Sequence, residues 1–554
     1  MKSKLSYIVK ALLVLVLVNV AANFLHTRFD MTEDRRYTLS EPAIEAAATF
    51  KTPVIIDILL DGNLPAEFVK LQKEVEQLVA QFSQVNADIK YTFVDPLEGV
   101  ENVDATIAEL QGLGLTPTRV TVNDNSKVSQ EIIFPWAMVN YNNKTVKVPL
   151  LKTKQGETNV ERINNSVQQL EYVFADAFRK ISLEEKKRIA VIKGNGELDD
   201  RYIADFLTTV RDYYNIGAIT LDSVAVAPQK TLDQLNNYDL ALLAKPTEPF
   251  TDGEKYLLDQ FMVNGGKTVW LIDQVNMEID SLFNETGTAM ALQRDLNLTD
   301  LFFNYGVRLN SDLVNDMYFT QIVLATGEGN ASQYEPVPWL YNPMVRSRND
   351  HPINNNLEAL RFQFASSIDT LPNGYKKIVL LQSSPLSKTD KAPRQISLSA
   401  INQPPKKERY TDGNKPLAVL VEGAFRSAFA NRVKPLRLKN PLESGTNGQL
   451  VLISDGDLIK NQLRKGMPLE LGYDKWTSNY YGNKEFLVNT FNYLLNDTGL
   501  INIRNKKVRI PHLDGTKIEA QKTKWQLLNI ALPVLLTLLF GLGFNYLRKQ
   551  KYGR

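Results

Sequence analysis

Apolar and polar positions divide this chain into two uncharged runs, one near each end, and a patterned body between them. Trp525 to Leu547 contains no charged residue, and Arg548, Lys549, Lys551 and Arg554 follow it. At 1.5 Å per residue a helix of this length covers roughly 34 Å, enough for a hydrocarbon core of ~30 Å. A core helix would carry a polar stripe; here Gln526, Asn529, Thr537 and Asn545 are only scattered. The spacing therefore predicts a transmembrane helix at 525–547. Met1 to Leu25 carries Lys2, Lys4 and Lys10 before an apolar run. Two readings compete: an uncleaved transmembrane helix over Leu5 to Leu25, or a signal peptide cut near Ala21 and Ala22. The anchor is favoured, because Lys10 can snorkel to the interface. Both readings place the body of the chain outside the cytoplasm, and the basic tail after Tyr546 then lies inside.

Between the runs the period alternates between that of strands and that of helices. After a linker over 26–52, with Ser40 and Pro42 as a helix start, Val54 to Leu60 reads as a strand. In Glu67 to Val85, Phe68, Leu71, Val75, Leu78, Val79 and Phe82 share one helical face. Strands come next at Ile89 to Val94 and Arg119 to Val122, with a short helix at Asp104 to Gln111. A hairpin joins Ile132 to Tyr141 with Thr145 to Leu150, and a helix over Val160 to Ile181 closes the unit. This order approximates a thioredoxin-like domain over 53–183. Lys186-Lys187-Arg188 marks a boundary, after which strand and helix alternate again: strands at Ile189 to Ile192, Ala218 to Leu221, Leu240 to Ala244 and Thr268 to Ile272. Such units predict a parallel, Rossmann-like sheet with helices on both faces, over 184–500. From about 276 to 448 the pattern loosens into an insertion that returns to the sheet. Gln449 to Ser454 is a final strand, Lys484 to Leu495 a helix, and 501–524 a stalk.

Composition narrows the chemistry. The 554 residues contain no cysteine, which removes thiolate nucleophiles, disulfides, iron–sulfur clusters and cysteine-based zinc sites. Three histidines, His26, His351 and His512, are too dispersed for a triad or a multi-histidine metal site. A net charge of +2 gives no electrostatic pointer to nucleic acid.

Gly194-Asn195-Gly196-Glu197 follows a strand and opens a helix, a place where phosphates bind. The third glycine of the dinucleotide fingerprint is absent, and Asp199 stands in its position, so a structural turn is the preferred reading. Ser454-Asp455-Gly456-Asp457 puts two carboxylates on a loop after a strand; acid–base or Mg²⁺ chemistry would need such groups, but Asp and Gly are also turn formers. Neither Ser427 nor Ser454 sits in a Gly-x-Ser-x-Gly elbow, and no Walker lysine motif occurs. Tyr473, Trp476, Tyr480 and Tyr481 cluster ahead of the last helix, as a loop packing or a binding surface. No catalytic residue, cofactor or metal ligand is assigned. Gly194, Asn195, Gly196, Glu197, Asp455 and Asp457 are retained as candidate ligand or partner contacts.

Several stretches together resemble the auxiliary, substrate-binding subunit of the gliding-motility ABC transporter, the GldG-like family. They are Arg36-Tyr37-Thr38-Leu39-Ser40, Tyr91-Thr92-Phe93-Val94-Asp95-Pro96, Gly194-Asn195-Gly196-Glu197, Val421-Glu422-Gly423-Ala424-Phe425 with Ser427 and Phe429, Ile453-Ser454-Asp455-Gly456-Asp457, and Asn489-Thr490-Phe491-Asn492-Tyr493-Leu494. The resemblance implies a non-enzymatic inner-membrane subunit with two spans, both termini cytoplasmic and a periplasmic body. It implies a polytopic permease and a cytoplasmic ATPase as partners, and Bacteroidetes-type bacteria as the source. It also implies a glutamine-amidotransferase-like fold for the second domain, without the cysteine nucleophile. Two alternatives stand beside it: a membrane-bound hydrolase using Asp455 or Asp457, and a purely structural envelope scaffold.

Overall fold

A computed structural model describes residues 14–15, 38–124, 127–151, 159–183, 185–326, 333–354, 357–402, 404–495 and 515–553. Leu5 to Leu25, apart from Val14 and Leu15, and the first part of the stalk lie outside them, as do His26 and His512. The chain divides into two compact units, Met1–Lys506 and Lys507–Arg554.

In the first unit, the amino-terminal part builds a four-stranded sheet from β1 (Val54–Ile58), β2 (Ile89–Phe93), β5 (Trp136–Tyr141) and β6 (Lys144–Pro149), in the order β2-β1-β5-β6. β1 is parallel to β2 and antiparallel to β5. Helices Ala66–Val85 and Asn159–Ser182 supply its core. Phe68, Leu71, Val75, Val79 and Phe82 are buried on the predicted helical face, with Leu78 at its margin. Phe82 meets Phe178 edge to face, with ring centroids 4.9 Å apart.

Two local expectations need correction here. Ser40 does stand at the start of helix Glu41–Ala48, but its hydroxyl caps nothing; its backbone N–H donates instead to Glu171 Oε1 at 2.6 Å. The strand expected over Ile132 to Tyr141 is two strands, broken around Pro135, which has no N–H to give a ladder. Its first two residues, Ile132 and Ile133, belong to β4 (Lys127–Ile133), which pairs with β3 (Thr118–Asp124) in a separate hairpin.

The larger sheet has seven strands: β7 (Arg188–Lys193), β8 (Asn215–Thr220), β9 (Leu240–Ala244), β10 (Lys267–Leu271), and strands Lys376–Gln382, Pro416–Gly423 and Gly448–Ile453. Across the sheet the order is Lys376–Gln382, Pro416–Gly423, Gly448–Ile453, β10, β9, β7, β8. The five strands from Gly448–Ile453 to β8 are mutually parallel, and Pro416–Gly423 runs antiparallel to both its neighbours, Gly448–Ile453 and Lys376–Gln382. The sheet is therefore mixed, not parallel throughout. Pro416–Gly423 and its edge partner Lys376–Gln382 both arise within the segment read as loosely patterned. β9 is buried at every position, as expected for a strand covered on both faces. One side of the sheet packs on helices Asp200–Arg211 and Asn483–Leu494, the other on helix Asp252–Val263. A satellite core around Trp339, Tyr341 and Phe364 fills the inserted segment.

In chain order the parallel strands run 2-1-3-4-5 across the sheet. The connection from β7 therefore runs outward to β8, and the next one returns past β7 to β9 on its other side. In such sheets the crevice at the carboxyl ends of the strands, where the order reverses, is the favoured place for a ligand.

The second unit holds helix Gly515–Tyr552, within which Gln521–Tyr552 is the one helix long and apolar enough to cross a membrane among the described residues. The helix begins before Trp525, so the later part of the expected stalk is helical. Pro533 interrupts its backbone donors, and the Thr537 hydroxyl donates to the Pro533 carbonyl at 2.7 Å.

Candidate functional site

Four chain segments meet at the carboxyl edge of the parallel strands. The first is the glycine turn after β7. Gly194 and Gly196 have φ of +120° and +71°, conformations that side-chain-bearing residues avoid. A Cβ on Gly196 would also stand 2.1 Å from Thr247 Oγ1. Asn195 points inward, 3% exposed. Its N–H donates to Glu197 Oε2 at 2.9 Å, and its carbonyl accepts from Thr247 N and Glu248 N, each at 2.9 Å. Its amide nitrogen donates to Glu254 Oε2 at 3.3 Å. Burial pushes the Glu197 carboxyl above the usual range, against the backbone donors that favour its charge. Asp199 caps helix Asp200–Arg211 by accepting from Arg201 N. An acidic side chain thus takes the end that an anion would occupy, and the turn serves to fasten β7 to the loop after β9.

That loop begins with Lys245, whose φ is +56°. Its ammonium is almost wholly buried, with 4% of the side chain exposed. It bonds Glu278 Oε1 and Asp457 Oδ1 at 2.6 Å each and Asp273 Oδ2 at 3.1 Å. Lys460 adds a second cation, 3.2 Å from Asp457 Oδ1. Asp273 Oδ1 also accepts from Gly456 N at 2.5 Å. Asp455 accepts from Asp457 N at 2.7 Å and Gln363 N at 2.6 Å, which ties the inserted segment to the same centre.

The electrostatics reflect burial and proximity. Burial alone would lower the Lys245 pKa, but Asp273, Asp457 and Glu278 outweigh it and hold the ammonium above the ordinary lysine value. Burial pushes the Asp273 carboxyl up to about 6, with Lys245 opposing. Burial and the neighbouring Asp273 and Asp457 carboxyls raise Asp455 well above its usual range. Asp457 goes the other way: burial is overcome by Lys245 and Lys460, which keep it below the usual carboxylate range. Oxygens of Asp273, Glu278 and Asp457 lie within 4.8 Å of one another, a spacing that suits a cation. The Lys245 ammonium bonds all three, so a metal ion there would have to displace it.

The structure thus places Gly194, Asn195, Gly196 and Glu197, and Asp455 and Asp457, at the same edge of the sheet. The two groups reach the same loop, one through Thr247 and Glu248 and the other through Lys245. Sequence reading missed Lys245, Asp273, Glu278 and Lys460. A signal existed for two of them: Lys245 and Asp273 are polar residues that follow the apolar runs Leu240–Ala244 and Val269–Ile272 at the edge the topology marks. The serines are committed elsewhere. Ser427 Oγ donates to the buried Asp259 at 2.6 Å, and Ser454 Oγ to the Leu417 carbonyl at 3.1 Å. Of the aromatic cluster, Tyr473 and Tyr480 pair across a short hairpin at 4.7 Å, while Trp476 is half exposed and lies 5.6 Å from Tyr334.

Comparison with known proteins bears on both parts of the first unit. Residues 33–140 match a family described only as a domain of unknown function. No curated protein matches the chain. Among solved structures, the mmIFT52 N-terminal domain aligns at 13% identity with a TM-score of 0.32, covering 56% of this chain and 97% of that one. Residues 186–490, more than half the chain and all of the edge just described, match the family described as an ABC-type uncharacterized transport system. The chain belongs to this family and is an ABC transporter auxiliary subunit.

Proposed function

We propose that the chain is a non-enzymatic, membrane-anchored auxiliary subunit of an ABC transporter, and that its body binds substrate or partner proteins beside the permease. The family match over residues 186–490 carries this reading. The geometry at the carboxyl edge supports it: the position where an α/β enzyme places reactive groups holds Lys245 inside its own carboxylates, in a chain without cysteine. Helix Gln521–Tyr552 supplies a membrane span by length and composition. The resemblance to GldG-like proteins extends the proposal. It makes the partners a polytopic permease and a cytoplasmic ATPase, the process gliding motility in a Bacteroidetes-type bacterium, and the location the inner membrane. It adds a second span at Leu5 to Leu25, both termini in the cytoplasm and a periplasmic body. On the same reading, 53–183 is a thioredoxin-like domain, 184–500 an amidotransferase-like one, and the candidate contacts are Gly194 to Glu197 with Asp455 and Asp457.

The test is affinity purification of the full chain from gently solubilised membranes. A permease and an ATPase are expected to co-purify in fixed proportion. Recovery of the chain without either would sink the proposal.

A further inference from the structure

β8 is the outermost strand of the seven-stranded sheet, and its free edge is built unlike the opposite one. At the opposite edge, the side-chain amides of Asn349 and Asn354 cover carbonyls of strand Lys376–Gln382, donating to Val379 O at 2.7 Å and Leu380 O at 2.6 Å. β8 reads Asn-Ile-Gly-Ala-Ile-Thr, without a charge, a proline or a bulge. Proteins usually blunt an edge strand with such features, because an open ladder recruits another strand. The inward ladder fixes which groups are free. Asn215 N donates to Lys187 O and Leu221 N to Lys193 O, each at 2.9 Å, so positions 215, 217, 219 and 221 face β7. Ile216, Ala218 and Thr220 therefore direct N–H and C=O outward, and no described residue bonds to these groups. A groove of about 360 Å³ runs beside them, walled by Arg188, Thr231, Gln234 and Tyr238.

We propose that β8 pairs antiparallel with β8 of a second copy of this chain, about a two-fold axis at Ala218. Geometry leaves little choice of register. Paired residues in an antiparallel ladder share a face, and a two-fold axis normal to the sheet preserves faces, so the axis passes through a residue. Hydrogen-bonded pairs must come from the outward set. That gives Ala218 opposite Ala218 and Ile216 opposite Thr220, with Gly217 opposite Ile219 between them. A small residue lies on the axis and β-branched residues face each other, while Gly217, opposite Ile219, is covered where its side chain would stand by the Tyr238 hydroxyl of its own copy. Charge agrees at both ends. Lys144, Lys180 and Lys186 gather near the amino end of β8; burial first, then Lys144 and Lys180, lower the Lys186 pKa against the opposing Asp212, and Lys180 is paired with Asp176 at 3.1 Å. Asp222, two residues beyond the carboxyl end of the strand, falls opposite Tyr214 of the other copy, beside that lysine group.

The chain contains no cysteine, so a single introduced thiol reports on this contact. Opposed residues in a hydrogen-bonded antiparallel pair have Cα atoms about 5.5 Å apart, within disulfide reach. The full chain in nanodiscs, carrying Ala218→Cys, is expected to form a covalent dimer under mild oxidation, while Val226→Cys, 88% exposed off the ladder, stays monomeric. Unmodified protein should show twice the monomer mass by analytical ultracentrifugation. Ala218→Lys should halve that mass with unchanged circular dichroism. A monomeric parent protein, a dimer that persists in Ala218→Lys, or a thiol at 218 that links only to a different polypeptide would each overturn the assignment.

Discussion

Lys245 adopts a left-handed backbone and precedes Pro246, a costly conformation for a residue with a long side chain. The surrounding ion network holds it there. Removing one partner of a buried ion pair leaves the others uncompensated and costs about 3–5 kcal/mol. Lys245→Met is expected to lose stability on that scale in a urea titration; a loss no larger than that of a surface lysine would show that solvent already screens the cluster. The same network gives a pH signature. Asp273 has an ordinary value of 3.8 and a folded value of about 6, so between these the native state holds more protons than the unfolded chain. Its contribution to stability is complete below the ordinary value and is lost as pH rises through the folded one. Asp457 has the opposite sign: its contribution is present above the ordinary value and lost as pH falls. Asp273→Asn keeps an acceptor for Gly456 N and should flatten the decline in melting temperature between pH 4 and 6. An unchanged slope would place the proton elsewhere.

Local chemistry determines helix Asp252–Val263, so an element of this kind can be read from sequence. Thr251 and Glu254 form a capping box: the Thr251 hydroxyl accepts from Glu254 N at 3.3 Å, and Glu254 Oε2 accepts from Thr251 N at 2.7 Å. Thr251→Ala should cost about 1 kcal/mol, measured as a shift in denaturation midpoint with unchanged slope. Glu254 also accepts from Asn195, so part of the effect should reach the glycine turn as faster amide exchange there. The apolar faces of the long helices and the buried strands were legible for the same reason, since burial imposes a period that sequence displays. What sequence hid was set by distance along the chain. Asp259 lies in a helix as one more polar residue, yet it is fully buried and accepts from Tyr305 and Ser427 at 2.6 Å each. The partners of Lys245 likewise become visible only once the strand order is known. Asp455 and Asp457 could be noticed because they sit four residues or fewer from the end of an apolar strand, but the pairing of Asp457 with Lys245 could not.

At the scale of the whole molecule, the proposed function makes membrane attachment and assembly separable. Pro533 and Thr537, with Gly541 and Gly543, give the span at Trp525–Leu547 a surface that a neighbouring helix can approach closely. Exchanging it for an unrelated apolar helix should leave the chain in the membrane fraction and abolish co-purification of transporter subunits; full retention of the complex would reduce the span to an anchor.

The strand order also constrains biosynthesis. Lys245 and Asp457 are 212 residues apart in sequence, and Gly448–Ile453, which covers the open edge of β10, is made almost as late. At a synthesis rate of about 5–20 residues per second, the growing chain carries an uncovered strand and a lysine still without its Asp457 partner for roughly 10–40 s. Interrupting synthesis between β10 and Gly448 should therefore yield chains that aggregate or are degraded, whereas the segment ending at Ser182 already has its own sheet and core before β7 begins.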